Sequence, residues 1–417
     1  MAQWMETVQP KDAAVRRNGP LQGIRVLDLS RVLSGPFCTK ILADLGADVV
    51  KIEEMERGDS TRAVAPFVNG MSHYYIAINH NKRSVGIDAR TLEGRDVILD
   101  LAKSSDVVIE NFRPGVRDRL GLSVEKLREA NPSLIVCSIS GFGQRVSARE
   151  KPCFDIIAQA MSGLMSVNGD PAGEPMKVGV PLADLGAGLW AAIGVLSALH
   201  HRNATGEPLE IDLSMLDGLI ALLGYIAEIY LVTGESPGRP GNMHHGIVPY
   251  GLYPVKDGNM VLALHHIGFW EKFCKVVGRT DLFEDERYHS TAARKTNRDT
   301  LEPIICEILR ARTADEWHAI FDPADVPHGV VNNIEQALTQ PLVRERNLIK
   351  TVEGGACGPV QVIGTPLQFV GAFNDVEITP PAQLGEHTRS VLRDLLRYDD
   401  LRIDGLIANG VISADQK

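Results

Sequence analysis

The sequence predicts an α/β protein: a Rossmann-like large domain with a parallel sheet, plus a smaller α+β domain. Two observations lead to this class. Apolar, β-branched segments alternate with helical patterns over the first half of the chain, which is typical of a parallel sheet covered by helices on both faces. Farther along, two strand-like segments, 250–256 and 259–264, flank an Asp-Gly turn, a pattern that indicates a β-hairpin.

The first predicted strand is 24–29, and Gly35-Pro36 then begins a helix that Gly46 ends, because Pro suits the first helical turn and Gly the position after the last. The remaining elements of the sheet follow in alternation. The predicted strands are 48–52, 84–88, 106–110, 134–139 and 210–213, and the predicted helices between them include 92–103 and 123–130. A strand-like segment, 178–182, precedes an apolar, small-residue helix that reaches residue 201.

Four parts of the chain follow from this pattern. We predict a flexible N-terminal arm (1–20), the first part of the large domain (21–226), a small domain (227–332), and a linker with return to the large domain (333–417). The most apolar segment, 215–234, contains Asp217 and Glu228. It is therefore expected to form a buried or interface helix rather than a membrane span.

Composition, net charge and cysteine content limit the classes of protein to which the chain can belong. The chain has 417 residues, of which 44% are apolar and 23% charged, as expected for a globular protein of about two domains. The 43 basic and 53 acidic residues give a net charge of −10, which argues against a nucleic-acid partner. The six cysteines include no CxxC pair. We therefore expect reduced thiols, no metal site and a cytoplasmic location.

Asp184 lies between the apolar segment 178–182 and the apolar run GAGLWAAIG. A carboxylate at a helix N-terminus is held in its ionised form, and Gly186 and Gly188 are expected to leave room for a ligand to approach the backbone. Two interpretations follow. Asp184 is either the N-cap of the helix or a nucleophile beside backbone donors.

Three polar segments are further candidates. The basic segment 79–83, with Arg90 after it, either binds phosphates or forms a solvated loop. Segment 111–115 follows the strand 106–110 and is thus expected at the ligand-binding, carboxyl edge of the sheet. The loop 241–246, with two adjacent histidines, is either a lid or an ordinary long loop.

Read in order, several segments resemble the class III coenzyme A transferases (CaiB/BaiF), the family of formyl-CoA transferase and carnitine CoA-transferase. The resemblance runs from about Leu21 to the C-terminal region, and it rests on order and spacing. The matching segments are LQGIRVLDLSRVLSGPFCTKILADLGADVVKIE, GDSTR, NKRSVGID, DVVIENFRPG, GVPLADLGAGLWAAIGVLSAL and LGEHT.

This resemblance implies an enzyme that moves CoA from an acyl-CoA donor, with succinyl-CoA a candidate, to a small carboxylic acid. CoA is then a substrate, and no permanently bound cofactor is expected. The catalytic aspartate of the family corresponds to Asp184, which would carry CoA as an aspartyl thioester. The family also implies a homodimer of interlocked chains, without nucleic-acid or membrane partners.

The resemblance further assigns binding residues. The family's CoA contacts correspond to Val32, Leu33, Ser34, Ile87, Arg90, Asn111, Phe112 and Arg119. Candidates for the acid substrate are Asp155, Gly241, Asn242, His244 and His245. Two features depart from the family: Glu54 replaces an arginine that contacts the nucleotide, and the loop 240–245 does not match the glycine-rich loop of formyl-CoA transferase. Formyl-CoA and oxalate are therefore not assigned.

Two alternatives remain open. The superfamily includes 2-methylacyl-CoA racemases, which use a His/Asp pair, but Phe154 stands at the histidine position here and a phenyl ring cannot exchange a proton. The second alternative is a CoA-binding protein without catalysis. The intact ADLGAG segment around Asp184 argues against it.

Overall fold

The computed structural model describes residues 18–373 and 378–413. The chain forms two compact units, of which the second comprises 165–177 and 232–343 and the first the rest of the described chain. Residues 1–17 of the predicted N-terminal arm lie outside the described residues. The second unit thus includes the short segment 165–177, which the pattern of the sequence did not assign to the small domain.

The strands, in chain order, are β1 (Arg25–Asp28), β2 (Asp48–Glu53), β3 (Phe67–Val68), β4 (Met71–Ser72), β5 (Lys82–Gly86), β6 (Val107–Glu110), β7 (Ile135–Ser140), β8 (Glu210–Ser214), β9 (Tyr250–Val255), β10 (Gly258–Ala263), β11 (His328–Val330), β12 (Ile349–Val352) and β13 (Val360–Ile363). A short 3-10 helix covers Ser60–Ala63.

The helices, in chain order, are α1 (Ser34–Asp44), α2 (His73–Asn79), α3 (Leu92–Lys103), α4 (Val116–Arg119), α5 (Val124–Ala130), α6 (Asp155–Met161), α7 (Leu164–Val167), α8 (Leu182–Thr205), α9 (Met215–Leu222), α10 (Tyr225–Thr233), α11 (Ile267–Val276), α12 (Thr280–Glu284), α13 (Thr291–Thr296), α14 (Arg298–Arg310), α15 (Ala314–Phe321), α16 (Ile334–Thr339), α17 (Pro341–Glu345), α18 (Thr388–Leu396) and α19 (Asp400–Ala408).

The first unit is built on a six-stranded, parallel sheet in the order β5-β2-β1-β6-β7-β8. All six strands correspond to predicted ones, with bounds that differ by a few residues. From β1 the chain proceeds outward in one direction through β2 and β5, and then in the other through β6, β7 and β8. The strand order therefore reverses between β1 and β6, and such a switch point is where open α/β sheets bind ligands.

Each face of this sheet packs against helices, as the alternation predicts. Leu27, Val50 and Val108 belong to one apolar cluster, which includes side chains of α3, α18 and α19. Val26 and Val49, one position earlier on their strands, belong to the cluster that includes α1 and α8. Successive side chains of a strand point to opposite faces, so a continuous apolar strand fills both layers.

Two predictions about the apolar middle of the chain are wrong in detail. Segment 178–182 does not form a strand, and α8 begins directly at Leu182. The expected single helix over 215–234 is two helices, α9 and α10, bent by 82°. By length and composition, α8 and this bent pair could each span a membrane. Half of the most apolar part of α8 is buried in the first unit. Ala191 and Val195 lie in the core, as expected for the core helix of a globular domain.

The second unit contains the predicted hairpin. Strands β9 and β10 pair antiparallel through the turn at Lys256-Asp257, and β11 adds to the other edge of β10. Its apolar core includes Trp270, Phe273 and Phe321 from surrounding helices. Strands β12 and β13 and the last two helices belong to the first unit.

Candidate active site

A cavity of about 250 Å³ lies at the switch point of the parallel sheet. Its lining comes from the carboxyl ends of four neighbouring strands: Ser30 after β1, Glu53 at the end of β2, Ile87 after β5 and Phe112 after β6. Two neighbouring cavities, of about 270 and 660 Å³, share Arg31 with it. The edge of the sheet that the topology favours for ligand binding thus carries three cavities that share a lining residue.

Most of the residues predicted to contact CoA line these cavities. Ile87, Arg90 and Phe112 line the first cavity, and Val32 and Asn111 line the second. The other three predicted contacts line none of the three. Leu33 and Ser34 are buried, and Arg119 is exposed at the end of α4. Glu54, at the family's arginine position, lines the first and third cavities.

Arg31 is a functional candidate that the sequence analysis missed. Its guanidinium lies 5.0 Å from the centre of the Phe112 ring, and the residue lines all three cavities. By contrast, the exposed Arg90 forms two hydrogen bonds, of 2.8 and 3.0 Å, with Asp88. The signal for Arg31 was its place in the loop after the first strand, where a basic side chain reaches the carboxyl edge.

The loop between β1 and α1 is held by side chains from other strands. The Asn111 side chain accepts from the Arg31 amide at 2.8 Å and donates to the Arg31 carbonyl at 2.7 Å. Val32 adopts a φ of 66°, which is a genuine outlier for a β-branched residue. Its amide donates to both carboxylate oxygens of Asp59, at 3.2 Å each.

Buried charges lie beneath this loop. Lys51 Nζ donates to the Ser30 carbonyl at 2.8 Å and lies 3.0 Å from Asp59 Oδ2. Glu53 accepts from the Asp59 amide at 2.9 Å and pairs with Arg62 at 2.7 Å. Although burial opposes it, the hydrogen bond from Arg62 holds the pKa of Glu53 at about 2. Glu53 is therefore charged at neutral pH.

The basic segment 79–83 is neither a phosphate site nor a solvated loop, so both interpretations were wrong. All five residues are buried. Lys82 Nζ bonds to the Pro36 carbonyl and the Asn79 side chain, each at 2.9 Å, and lies 3.3 Å from Asp28. Burial lowers the pKa of Lys82 to about 8 even though Asp28 opposes that change. Arg83 pairs with Asp48 at 2.6 Å.

Asp184 is the third residue of α8, and the N-cap is Pro181, which has no capping side chain. The interpretation of Asp184 as the cap is therefore wrong. Asp155 bonds to the helix start instead: its Oδ1 accepts from the Ala183 amide at 2.8 Å. Its Oδ2 accepts from Gln159, whose side chain also bonds to the Val178 amide at 2.8 Å. Asp155 thus caps α8 and leaves the Asp184 carboxylate available.

Burial, and then the charge of Asp155, raise the pKa of Asp184 to about 6, while a hydrogen bond with Ser34 opposes the change. With this pKa the carboxylate is still ionised at neutral pH, as expected, but loss of water outweighs the helix dipole and makes Asp184 a weaker acid than a hydrated aspartate. The Ser34 hydroxyl links Asp184 to the start of α1, directly after the loop from β1. Burial, and then Asp184, raise the pKa of Tyr74 to about 12, so a neutral phenol lies within electrostatic range.

Gly186 and Gly188 have a different role from the one predicted. Both are buried. A Cβ on Gly188 would lie 2.8 Å from the Ser34 carbonyl oxygen, and one on Gly186 would lie 2.8 Å from Leu222 of α9. The glycines therefore let α8 pack closely on α1 and α9, which places Asp184 beside Ser34, rather than opening the backbone to a ligand.

The predicted substrate-loop residues Gly241, Asn242, His244 and His245 belong to the second unit. His244 Nδ1 accepts from the amides of Gly246 and Ile247 at 2.9 and 3.1 Å, and Arg298 donates to the His244 carbonyl at 2.6 Å. The segment is thus a hydrogen-bonded turn. Its part in acid binding stays a prediction.

Comparison with known proteins gives a consistent result. Residues 21–388 match the model of CoA-transferase family III. The chain is 36% identical over 394 residues to the human succinyl-CoA:glutarate CoA-transferase, covering 94% of this chain and 90% of that protein. It is 39% identical over 394 residues to a succinate–glutarate CoA-transferase of Agrobacterium fabrum, covering 91% and 96%.

A solved structure also resembles the fold of this chain. A CAIB/BAIF family protein from Brucella suis superposes with a TM-score of 0.81 at 36% identity, covering 91% of this chain and all of that one. The likeness therefore extends over both units of the chain.

Proposed function

The chain belongs to CoA-transferase family III, and from this premise we propose that its Asp184 carries CoA from donor to acceptor as a covalent thioester. The transfer of CoA between an acyl-CoA and a carboxylic acid is the activity of the family to which it belongs. The proposal concerns the residues that perform it, the acids involved and the assembly.

One observation carries the assignment of the nucleophile. Asp184 is a half-buried carboxylate whose helix-capping role is taken by Asp155. Its partner, Ser34, is the first residue of α1, directly after the loop at the cavity edge. With a pKa of about 6, it is ionised at neutral pH and poorly hydrated. A poorly hydrated carboxylate is a stronger nucleophile than one in water, because less solvation is lost on attack.

The steps conserve the thioester bond energy. Asp184 attacks the donor thioester and displaces the CoA thiolate, forming a mixed anhydride. The thiolate then attacks the aspartyl carbonyl, which releases the donor acid as a carboxylate and leaves an aspartyl-CoA thioester. The acceptor carboxylate displaces the thiolate again, and the thiolate attacks the acceptor acyl group to free Asp184. Water is neither consumed nor formed, so its exclusion prevents loss of the activated intermediates.

We propose succinyl-CoA as donor and a short dicarboxylate such as glutarate as acceptor. The support is the naming of two relatives, at 36% and 39% identity, for succinyl-CoA or succinate and glutarate. A second carboxylate needs a cationic or hydrogen-bonding partner. Arg31 and Arg57, at the cavity of about 660 Å³, are candidates in the first unit.

A coupled exchange assay tests this function. Incubation with succinyl-CoA and glutarate should yield glutaryl-CoA and succinate, measured by liquid chromatography, in the wild-type protein and not in Asp184→Asn. Glu150→Gln, which removes an exposed carboxylate of the first unit, is the matched control and should exchange normally. Exchange that persists in Asp184→Asn would contradict the assigned nucleophile.

The racemase alternative predicts a different product. It requires proton exchange at the α-carbon without an acceptor acid. Phe154, at the histidine position, is largely exposed at the N-cap of α6 and has no exchangeable ring proton. Incubation of a 2-methylacyl-CoA in deuterium oxide should leave the substrate unlabelled, and deuterium at the α-carbon would favour the alternative.

We also propose a homodimer. Several large apolar side chains of the first unit are exposed on α8 and α10, among them Leu189, Ile193, Tyr225 and Leu231, the last at 70% exposure. Large exposed apolar surface is typical of an interaction site, which supports this proposal. Light scattering during size exclusion should give twice the chain mass, and a monomer at micromolar concentration would contradict the proposal.

The proposed compartment is the reducing cytoplasm. The six cysteines of the chain are all free thiols, and stable disulfides are rare in that compartment. Cell fractionation with an antibody to the native protein would test this location.

A further inference from the structure

The loop between β1 and α1 has an unusual conformation at the edge of the cavities. Val32 is β-branched, has a φ of 66° and is 39% exposed. A β-branched residue leaves the left-handed region unless its surroundings hold it there, and such strain tends to occur at functional sites.

Hydrogen bonds to Asp59 hold Val32 in this conformation. The Asp59 carboxylate is 2% exposed and accepts the Val32 amide with both oxygens at 3.2 Å. The same carboxylate accepts from the amide and hydroxyl of Thr61, at 3.0 and 2.9 Å, and pairs with Lys51 at 3.0 Å. It is thus held by Thr61 and Lys51 as well as by the loop amide.

Lys51 completes the arrangement. While its ammonium pairs with Asp59, it also donates to the Ser30 carbonyl at 2.8 Å. Two backbone groups of the loop, the Ser30 carbonyl and the Val32 amide, are therefore bound by one buried ion pair. The loop leads into Ser34, the first residue of α1, which hydrogen-bonds to Asp184, so the shape of the loop also sets the surroundings of the nucleophile.

From this geometry we propose that Asp59, supported by Lys51, is a positioning residue that locks Val32 in its left-handed conformation and so shapes the loop for CoA. The inference rests on the proposed function, in which Val32, Leu33 and Ser34 contact CoA. Asp59 itself lines the first cavity, but its role is exerted through the backbone of Val32.

The test combines loss and rescue. Asp59→Asn keeps the shape of the side chain but turns an NH2 group toward donors. It should weaken CoA binding, measured by calorimetry, by about tenfold or more, since a buried donor loses its acceptor. Glycine adopts a positive φ freely. Asp59→Asn/Val32→Gly should therefore bind CoA more tightly than Asp59→Asn alone, an effect that a merely structural role would not produce.

Two outcomes would overturn this inference: unchanged CoA affinity in Asp59→Asn, or a double variant that binds CoA no more tightly than Asp59→Asn alone. Asp48→Asn, which breaks another buried ion pair of the first unit, is the matched control and should keep wild-type affinity. Because CoA binding needs no chemistry at Asp184, failure of the proposed nucleophile would show in the exchange assay and leave this test intact.

A second, independent observation concerns the second unit. His318 of α15, Asp322 at its end and His328 of β11 offer three ligand atoms within 4.8 Å of one another. A ring nitrogen of His318 lies 2.8 Å from His328 Nε2, and the other lies 3.1 Å from Asp322. His328 Nε2 is 3.8 Å from the same carboxylate.

The hydrogen bonds orient His328 as a ligand. Its Nδ1 lies 2.8 Å from the Val326 carbonyl, which can only accept, so Nδ1 carries the proton and Nε2 presents a lone pair. A carbonyl on the second nitrogen is the usual support of a metal-bound histidine. Zn²⁺ bonds of about 2.0–2.2 Å place donor atoms roughly 3.3 Å apart. With one ligand atom from each residue, the three donors lie within 4.8 Å of one another, so they would move closer together around a bound ion.

From these donors the geometry points to a divalent transition-metal site that joins the end of α15 to β11. Two imidazoles and one carboxylate suit Zn²⁺ and leave a fourth position for water. This differs from the sequence analysis, which found no metal motif, because His328 approaches the other two only through the pairing of β11 with β10.

Zinc titration of chelator-treated protein tests this site. Calorimetry should show one Zn²⁺ bound per chain, and bound Zn²⁺ should raise the melting temperature. His318→Ala removes an exposed side chain and should abolish both effects. His289→Ala, at another exposed histidine of the same unit, should retain them. Absence of binding in the wild type, or equal binding in His318→Ala, would overturn the inference.

Discussion

The two ends of the parallel sheet bury charge for different purposes. At the carboxyl end lie Asp28, Lys51, Glu53, Asp59 and Arg62, here called the carboxyl-end network. At the amino end lie Arg25, Asp48, Arg83, Asp106 and Arg202, here called the amino-end network. Both consist of short ion pairs, such as Lys51–Asp59 at 3.0 Å and Arg83–Asp48 at 2.6 Å.

The partners of these networks distinguish them. In the amino-end network, Arg25 and Arg83 both bind Asp48, and Arg202 binds Asp106 and the Ser133 carbonyl, so neighbouring strand starts are joined. In the carboxyl-end network, Lys51 and Asp59 hold a strained loop beside a cavity. A buried ion pair is weak evidence for stability. The role of a buried ion pair therefore depends on what it holds in place: strand starts in the amino-end network and the loop beside the cavity in the carboxyl-end network.

The largest expected effect comes from the residue next to the carboxyl-end network. Asp184→Asn should lower turnover by at least about 10³-fold, as for loss of a covalent nucleophile. The folded-state pKa of Asp184 is raised to about 6, so its charge destabilises the fold above pH 6 and not below pH 4. At pH 8 the free energy of unfolding of Asp184→Asn, measured with urea, should therefore exceed that of the wild type by on the order of 2 kcal/mol. At pH 4 the two proteins should be equally stable. If the variant and the wild type were equally stable at pH 8 as well as at pH 4, burial would not raise the pKa of Asp184.

Asp48→Asn breaks the amino-end network. Arg25 and Arg83 would lose their shared acceptor, and such a loss costs about 3–5 kcal/mol. Urea unfolding should show this loss, while the KM for acyl-CoA stays at the wild-type value. The comparison fails if KM rises as much as it does in Asp59→Asn.

Asp155→Asn sharpens the account of the nucleophile. After burial, the Asp155 charge is the second cause of the raised pKa of Asp184. The amide oxygen of asparagine can still accept from Ala183, so the helix cap persists. Because removal of a negative neighbour favours the ionised form, the acid limb of the kcat profile should move to lower pH. The control Glu150→Gln should leave the pH of the acid limb unchanged. If that pH is unchanged or higher in Asp155→Asn, the charge of Asp155 is not a cause of the raised pKa of Asp184.

The smallest expected effect concerns Glu54, at the exposed rim of the first cavity. Glu54→Arg restores the family's charge, and exposed charges contribute little. The KM for acyl-CoA should fall by a few-fold, with kcat unchanged, in steady-state assays at low ionic strength. A higher KM would show that the nucleotide end of CoA lies elsewhere.

The sheet could be predicted because its strands carry local signals, namely apolar β-branched runs and the Gly-Pro helix start. Asp184 was found because it interrupts apolar neighbours. The burial of 79–83 was not predictable, since the partners of Lys82 and Arg83 are Asp28 and Asp48, far away in sequence. Nor could any local pattern show that Asp155 caps α8 or that Asp59 holds Val32, because these contacts depend on the fold.

The most direct test of the central claim is intact-protein mass spectrometry after incubation with succinyl-CoA and an acid quench. The account predicts an added mass of one CoA less one water, located on Asp184 by peptide mapping and absent in Asp184→Asn. Adduct on another residue, or none in a protein that still exchanges CoA, would contradict Asp184 as the covalent carrier.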